Sequence, residues 1–188
     1  LCNLAIMGLD ELIDLQGYPV RAAEIATKSR RSLGVGFIGL AHYLAKNGVK
    51  YEDKQAWELV HQVTEAFQYN LIKASVNLAK EKGRCDYSDR TKYAQGILPI
   101  DTYKIDVNDI VSNELKCDWE FLREEVMKYG IRNSTLSAQM PSESSSVVCN
   151  ATNGIEPPRG YLSIKKSKKV PLKQIVPSYG TLKNNYTL

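Results

Sequence analysis

Three stretches of this chain carry residue types at spacings that chemistry uses. The first, Gly34-x-Gly36-x-x-Gly39, has the glycine spacing of a dinucleotide-binding turn. That chemistry requires a buried strand before the glycines and a helix whose N-terminus meets the pyrophosphate. The preceding Lys28, Ser29, Arg30, Arg31 and Ser32 cannot form a buried first strand, so the glycines fall instead inside a short apolar strand, where they permit close packing or backbone approach. The second stretch is Pro141-Ser142-Glu143-Ser144-Ser145-Ser146. Small residues let successive backbone N–H groups converge on one point, hydroxyls add donors, and a loop at the C-terminal end of a strand is where α/β proteins bind phosphate. A carboxylate aimed at a phosphate would repel it, so contact at Glu143 would use the backbone N–H with the side chain turned elsewhere. A plain serine-rich connector is the competing reading. The third stretch, Asn150 to Gly160 with Pro157-Pro158, is dense in turn residues and reads either as a rigid loop beside a site or as a structural turn.

Other chemistries find little support. Cys2, Cys85, Cys117 and Cys149 form no CxxC pair and no zinc spacing. The two histidines, His42 and His61, are too far apart for a local metal motif, and His61 sits in a helical pattern as a structural residue. No metal site is expected. The absence of secretory features makes reduced thiols in a cytoplasmic compartment the default. No apolar run approaches the roughly 18 residues of a membrane span. The net charge is +4, much of it in Lys165, Lys166, Lys168, Lys169 and Lys173. These alternate with Ser167, Val170 and Pro171 rather than with aromatics, which suits a solvated strand edge or loop better than a nucleic-acid surface.

The elements that must position the three stretches follow from periodicity. With 188 residues, 43% of them hydrophobic and 24% charged, the chain is long enough to bury a core and too ordinary in composition for wholesale disorder. Cys2, Ala5, Ile6, Leu9, Leu12 and Ile13 make a helical stripe ending at Gly17. A second helix over 20–31 closes on basic residues. Leu33 to Leu40 reads as a buried strand, followed by a helix through Lys46. Asp53 is placed to cap a long helix over 54–82, with Trp57, Val60, Phe67, Leu71, Ala74 and Leu78 on one face and Ala56, Leu59, Val63 and Ala66 widening it. Residues 84–113 are irregular. Asp118 caps a helix with Trp119, Leu122, Val126 and Tyr129 on one face and Gly130 as its stop. Ser134 to Met140 alternates as a strand cut by Pro141, a helix start is placed at Val147, and Tyr161 to Lys165 is a further strand. Helices alternating with short apolar strands predict an α/β fold.

Three blocks together resemble one family. Trp119-x-x-Leu122, seven residues, Gly130-Ile131-Arg132-Asn133, three residues, Ser137-Ala138, two residues and Pro141 fit the signature of the ribonucleotide reductase large subunit. The Tyr93 to Lys104 run YAQGILPIDTYK and the Asn150 to Tyr161 stretch resemble it as well. The similarity runs over essentially the whole chain and is greatest to the aerobic class I enzymes that reduce ribonucleoside diphosphates.

The resemblance implies a partial ten-stranded α/β barrel, its second half, with several surrounding helices. Residues 1–188 would then be a C-terminal part of the barrel domain, incomplete at both ends, as the start at Leu1 inside a helical pattern also suggests. The family loop matching Pro141, Ser142, Glu143, Ser144 and Ser145 holds the substrate diphosphate largely through backbone N–H groups. Ser144 stands where many members have Thr. Met140 matches a position lining the substrate pocket, with core filling as its alternative. The radical and reducing cysteines of the family lie upstream, so no catalytic residue is expected here and the isolated chain should be inactive. No cofactor is expected on this chain; the complete enzyme would rely on the radical of a metal-containing small subunit. The implied partners are a ribonucleoside diphosphate, the N-terminal part of the large subunit, the small subunit, and thioredoxin or glutaredoxin, with no membrane and no nucleic acid. A non-catalytic structural or assembly fragment of a split or truncated subunit is the alternative.

Overall fold

The computed structural model describes residues 1–110, 114–165 and 170–188. They divide into two compact units, one of residues 1–35 and 61–138, the other of residues 36–60 and 139–188. The first unit holds α1 (Cys2–Leu15), α2 (Arg21–Arg30) and α5 (Trp119–Tyr129). It also contains most of the long helix α4 (Lys54–Lys82), whose opening residues belong to the second unit. The second unit holds α3 (Leu40–Lys46), α6 (Glu143–Val148), a hairpin of β1 (Leu162–Lys165) and β2 (Leu172–Ile175), and α7 (Tyr179–Leu182). Among the described residues no helix is long and apolar enough to cross a membrane.

The first unit is built on α4. From Leu71 to Ala79 this helix is buried on almost every side: Leu71, Ile72, Ala74, Ser75, Val76, Leu78 and Ala79 lie inside, with Lys73 outward and Lys80 to Lys82 exposed in the last turn. The expected widening of its face at Val63 and Ala66 does not occur, since both are exposed. Asp53 precedes the helix but turns its carboxylate back to accept from the Lys50 N–H at 2.8 Å. Around α4 pack Ile6 of α1, Trp119, Leu122 and Val126 of α5, and Leu98, Ile131 and Leu136. Asp118 caps α5 as expected, accepting from the Phe121 N–H at 3.0 Å, and Gly130 ends it at φ 72°. Glu65 fixes the approach to α5: it accepts from the N–H groups of Lys116 and Cys117 and from Trp119 Nε1.

A charged side chain sits where the α1 pattern led one to expect only apolar ones. Asp10 is 1% exposed, while Leu12 of the expected stripe faces solvent. Asp10 accepts from Arg31 Nε at 2.7 Å, Asn133 Nδ2 at 2.9 Å and Arg132 Nε at 3.2 Å. Arg31, itself buried and held at φ 47° beyond α2, reaches on to both oxygens of Asp14. Asn133 also donates to the Arg31 carbonyl and, through its side-chain oxygen, accepts from Ser75 of α4. The Arg132-Asn133 pair of the signature therefore bolts α1, α2 and α4 together.

Strand content is lower than the sequence suggests. Among the described residues it is one hairpin and one parallel bridge, Val35 to Ser137, far less than half of a ten-stranded barrel. Leu33 and Val35 donate to the Thr135 and Leu136 carbonyls, and Ala138 returns a bond to Val35, but the expected strand over 33–40 ends early because α3 already begins at Leu40. Gly34 explains the closeness of the pair: a Cβ there would lie 3.1 Å from that of Ala138. The segment before it is helix, not strand, so the glycine spacing serves packing rather than a dinucleotide. In the second unit, α3 is covered by Val49, Ala56 and flanking aromatics on Leu40 and Leu44, and by Val176 and Tyr186 on Ala41 and Ala45. β1 and β2 pair antiparallel with Leu162 opposite Ile175. β2 was not foreseen. Of the lysine run, Lys166, Lys168 and Lys169 lie outside the described residues, and Lys173 pairs with Ile164 in the hairpin.

The buried network sets a pH dependence. Burial alone would raise the Asp10 carboxyl, but the Arg31 hydrogen bond and the charges of Arg132 and Arg31 hold it below the usual carboxylate range. Glu65 is likewise held down by the Cys117 and Lys116 N–H groups against the opposing effect of burial. A group with a lowered folded value stabilises fully above its unfolded value and loses that contribution as pH falls through the folded one. Stability should therefore be flat above about pH 5 and decline below about pH 4. Asp10→Asn removes the carboxylate shared by the buried Arg31 and the half-buried Arg132, leaves Arg31 with Asp14 as its one carboxylate partner, and should cost about 3 kcal/mol in chemical denaturation while flattening the acid limb. Unchanged stability would remove the network from its structural role.

Candidate functional site

The residues expected to bind substrate do come together. Met140, Pro141, Ser142, Glu143, Ser144 and Ser145 line one cavity of about 660 Å³, whose opposite wall is Gly36, Phe37 and Ile38. Met140 is 39% exposed, so it forms the lip of this cavity and does not fill the core. The serine segment is a helix and not the loop that serine content suggests. α6 covers 143–148, ending where a helix start was placed. The sequence signals for it are real: a serine at the cap position, an acidic residue in the first turn, and a proline just before.

The first turn of α6 is aimed by contacts with its own unit. Ser142 does not cap the helix with its side chain; its Oγ donates to the Met140 carbonyl at 3.0 Å, and its N–H donates to Asn153 Oδ1 at 2.9 Å. Ser146 closes the first turn by donating its N–H to the Ser142 carbonyl, and its Oγ donates to the Glu143 carbonyl. The N–H groups of Ser144 and Ser145 stand in the first turn, where no intrahelical acceptor exists, and both residues are exposed. Glu143 is exposed and borders this cavity and a second one beneath the hairpin. The cavity can therefore present donors from the backbone and from serine hydroxyls, the equipment for an anion.

The third stretch acts as structural turn and as site support at once. Asn153 holds Ser142, while Thr152 and Gly154 accept through their carbonyls from the N–H groups of Gly39 and Leu40 at the start of α3. Gly154 has φ 46°, and a Cβ there would lie 3.4 Å from the Met140 carbonyl oxygen. Tyr51 Oη donates to the Ile155 carbonyl at 2.8 Å; burial, with the nearby Glu156 charge, pushes this phenol up to about 12, so it remains a neutral donor. Gln139 pairs with Phe37 by side chain, donating Nε2 to its carbonyl at 2.6 Å. Asn153, Gln139 and the Gly36-Phe37-Ile38 wall are parts of the site that no local sequence pattern marks as such. Turn and close-packing signals were present in Asn153-Gly154 and in the glycine spacing, but only the fold shows which loops meet.

The cysteines are all free thiols: Cys85 is buried, Cys2 and Cys117 half-buried, and Cys149 exposed. Burial pushes the Cys85 thiol up, away from reactivity. Among the described residues no three His, Cys, Asp or Glu side chains gather as a metal-binding group.

Residues 1–186 match the model of the ribonucleotide reductase barrel domain. The chain is 57% identical to the ribonucleoside-diphosphate reductase subunit alpha of Haemophilus influenzae over 98% of its own length and 24% of that protein. Against the ribonucleoside-diphosphate reductase 1 subunit alpha of Escherichia coli the identity is 55% over 94% of the chain and 23% of the relative. Against subunit alpha of Enterobacteria phage T4 it is 51% over 95% and 23%. The chain thus spans about a quarter of the length of these relatives.

Losing the Asn153 bond should loosen the site without unfolding it. Asn153→Ala should lower global stability by about 1 kcal/mol and speed amide hydrogen exchange at Ser142 and Ser146 about tenfold relative to the rest of the chain. Exchange that stays as slow as in the parent would show that Asn153 does not hold the turn.

Proposed function

The chain belongs to the ribonucleotide reductase barrel-domain family, and from that premise we propose that it is a C-terminal part of the large subunit of a class I ribonucleoside-diphosphate reductase. In this reading Met140, Pro141, Ser142, Glu143, Ser144 and Ser145 hold the diphosphate of a ribonucleoside diphosphate. The observation that carries it is the convergence of all six on one cavity, with the first-turn N–H groups of Ser144 and Ser145 at its edge. A diphosphate spreads charge over several oxygens and is held best by several donors in fixed positions. Asn153 positions Ser142, Gly154 leaves room against Met140, and the Phe37 wall supplies an apolar side.

The complete enzyme would abstract the ribose 3′ hydrogen, release the 2′ hydroxyl as water and reduce the product with a cysteine pair. The radical would come from a metal-containing small subunit, and thioredoxin or glutaredoxin would restore the cysteines. This chain supplies binding and orientation: it fixes the diphosphate so that the ribose meets groups carried by the N-terminal part of the subunit. Its extended segments 33–35 and 135–138 would be two staves of the second half of a ten-stranded α/β barrel, completed by strands from the remainder of the subunit.

The isolated chain should show no turnover. In the complete subunit assembled with its small subunit, Ser144→Pro removes one backbone donor in a first turn that tolerates proline, whereas Ser144→Ala keeps it. The proline variant should raise KM for the ribonucleoside diphosphate at least about tenfold and the alanine variant far less. Equal KM in parent and proline variant would place the diphosphate elsewhere, and a chain that contributes only structure would give that result.

A further inference from the structure

A separate cavity, of about 400 Å³, lies wholly within the first unit. Its lining includes Arg30, Arg90 and Lys92 and no acidic residue. Among the described residues none of these three cations forms an ion pair. The two guanidinium groups instead share one ring: the Arg90 Cζ lies 4.0 Å and the Arg30 Cζ 5.4 Å from the centroid of Tyr87. Several other arginines of this chain are matched to carboxylates, as Arg31 is to Asp10 and Asp14, Arg84 to Asp89, and Arg123 to Asp101 and Glu120. All three cations are exposed, so they offer an incoming anion positive charge that no carboxylate of the chain already neutralises.

The rest of the lining suits an anion carried on an organic body. The Ser32 and Ser134 hydroxyls lie 2.9 Å apart on the lining, and only one of them donates to the other, while those of Thr91 and Thr135 donate to the Ser88 and Leu33 carbonyls. Leu98, Pro99 and Ile97 give it an apolar side. Tyr93 also lines the cavity, and burial pushes its phenol up to about 12. Its hydroxyl makes no hydrogen bond within the described residues and is available as a donor. The volume falls in the range of small-molecule sites. Planar guanidinium forks match phosphate oxygens better than point charges do.

We propose that this cavity binds the phosphate group of a small organic phosphate between Arg30, Arg90 and Lys92, with its organic body against Tyr93, Leu98 and Pro99. The site shares no residue with the Met140–Ser145 cavity, and its occupation does not depend on the function proposed for that cavity.

The test uses the full 188-residue chain with inorganic phosphate and adenosine 5′-monophosphate as probes, read by NMR of the arginine Nε–H groups and of the Tyr93 ring. Both probes should shift the Arg30, Arg90 and Tyr93 signals, and the nucleotide should bind at least about tenfold more tightly than bare phosphate. Equal affinity of the two would reject the organic body while retaining the anion site. Arg30→Ala with Arg90→Ala should weaken binding at least about tenfold for each probe, since both remove charge-assisted hydrogen bonds. Thr102→Glu, on the exposed rim, leaves both arginines and the Tyr87 stack in place and supplies a competing carboxylate. It should abolish phosphate binding with the circular dichroism spectrum unchanged. Unchanged Arg30, Arg90 and Tyr93 signals at saturating probe, or binding unaffected by Thr102→Glu, would overturn the proposal.

Discussion

The carboxylate of Asp10 decides how four parts of the first unit meet. It sits in α1, at a position inside the helix stripe, and draws to itself Arg31 from beyond α2 and Arg132 and Asn133 from the segment after α5. Asn133 carries the link on to Ser75 of α4. Removing an ion from water costs several kcal/mol, and only complete pairing and hydrogen bonding recover it. That requirement makes the arrangement selective. A shift of α1 by one residue, or an unwound Arg31, would strand a buried charge, whereas apolar contacts around Ile6 and Leu122 would tolerate a small slide. The network fixes which way the elements pack, and the apolar core supplies most of the energy.

The chain leaves that network at Asn133 and runs as an extended segment to Met140. In the second unit the same economy of means is applied to backbone groups. Asn153 satisfies the Ser142 N–H, Gly154 admits the Met140 carbonyl, and the turn that contains both also receives the first N–H groups of α3. The serine segment is held from outside by its neighbours, so its first-turn donors need not be spent on its own cap. A ligand with several acceptor oxygens finds them prearranged, which lowers the cost of ordering on binding.

Much of this was legible in the residues. The stop at Gly130, the Asp118 cap and the Trp119-Leu122-Val126 face came through because each is a local rule with a single strong residue. The three sequence blocks identified the family, and the Met140–Ser145 residues do share a cavity. The rest depended on partners distant in sequence. Asp10 reads as an ordinary outward charge until Arg132, far along the chain, is brought to it. α6 was read as a loop because serine favours turns, although Ser142 and Glu143 already marked a helix start. The strand over 33–40 looked longer than it is because its apolar residues belong partly to α3 packing, and Gln139 replaces backbone pairing to Phe37 by a side chain. Helical burial all round α4 cannot be told from an amphipathic stripe when small residues such as Ala74 and Ser75 fill the closest approaches.

Whether the α6 turn is a diphosphate site is settled most directly by a crystal structure of the complete subunit that contains this chain, grown with a ribonucleoside diphosphate. The account predicts phosphate oxygens within about 2.7–3.2 Å of the Ser144 and Ser145 backbone nitrogens, with Asn153 still holding Ser142 and the Glu143 carboxylate turned away. A diphosphate bound without contact to any of residues 141–145 would contradict it.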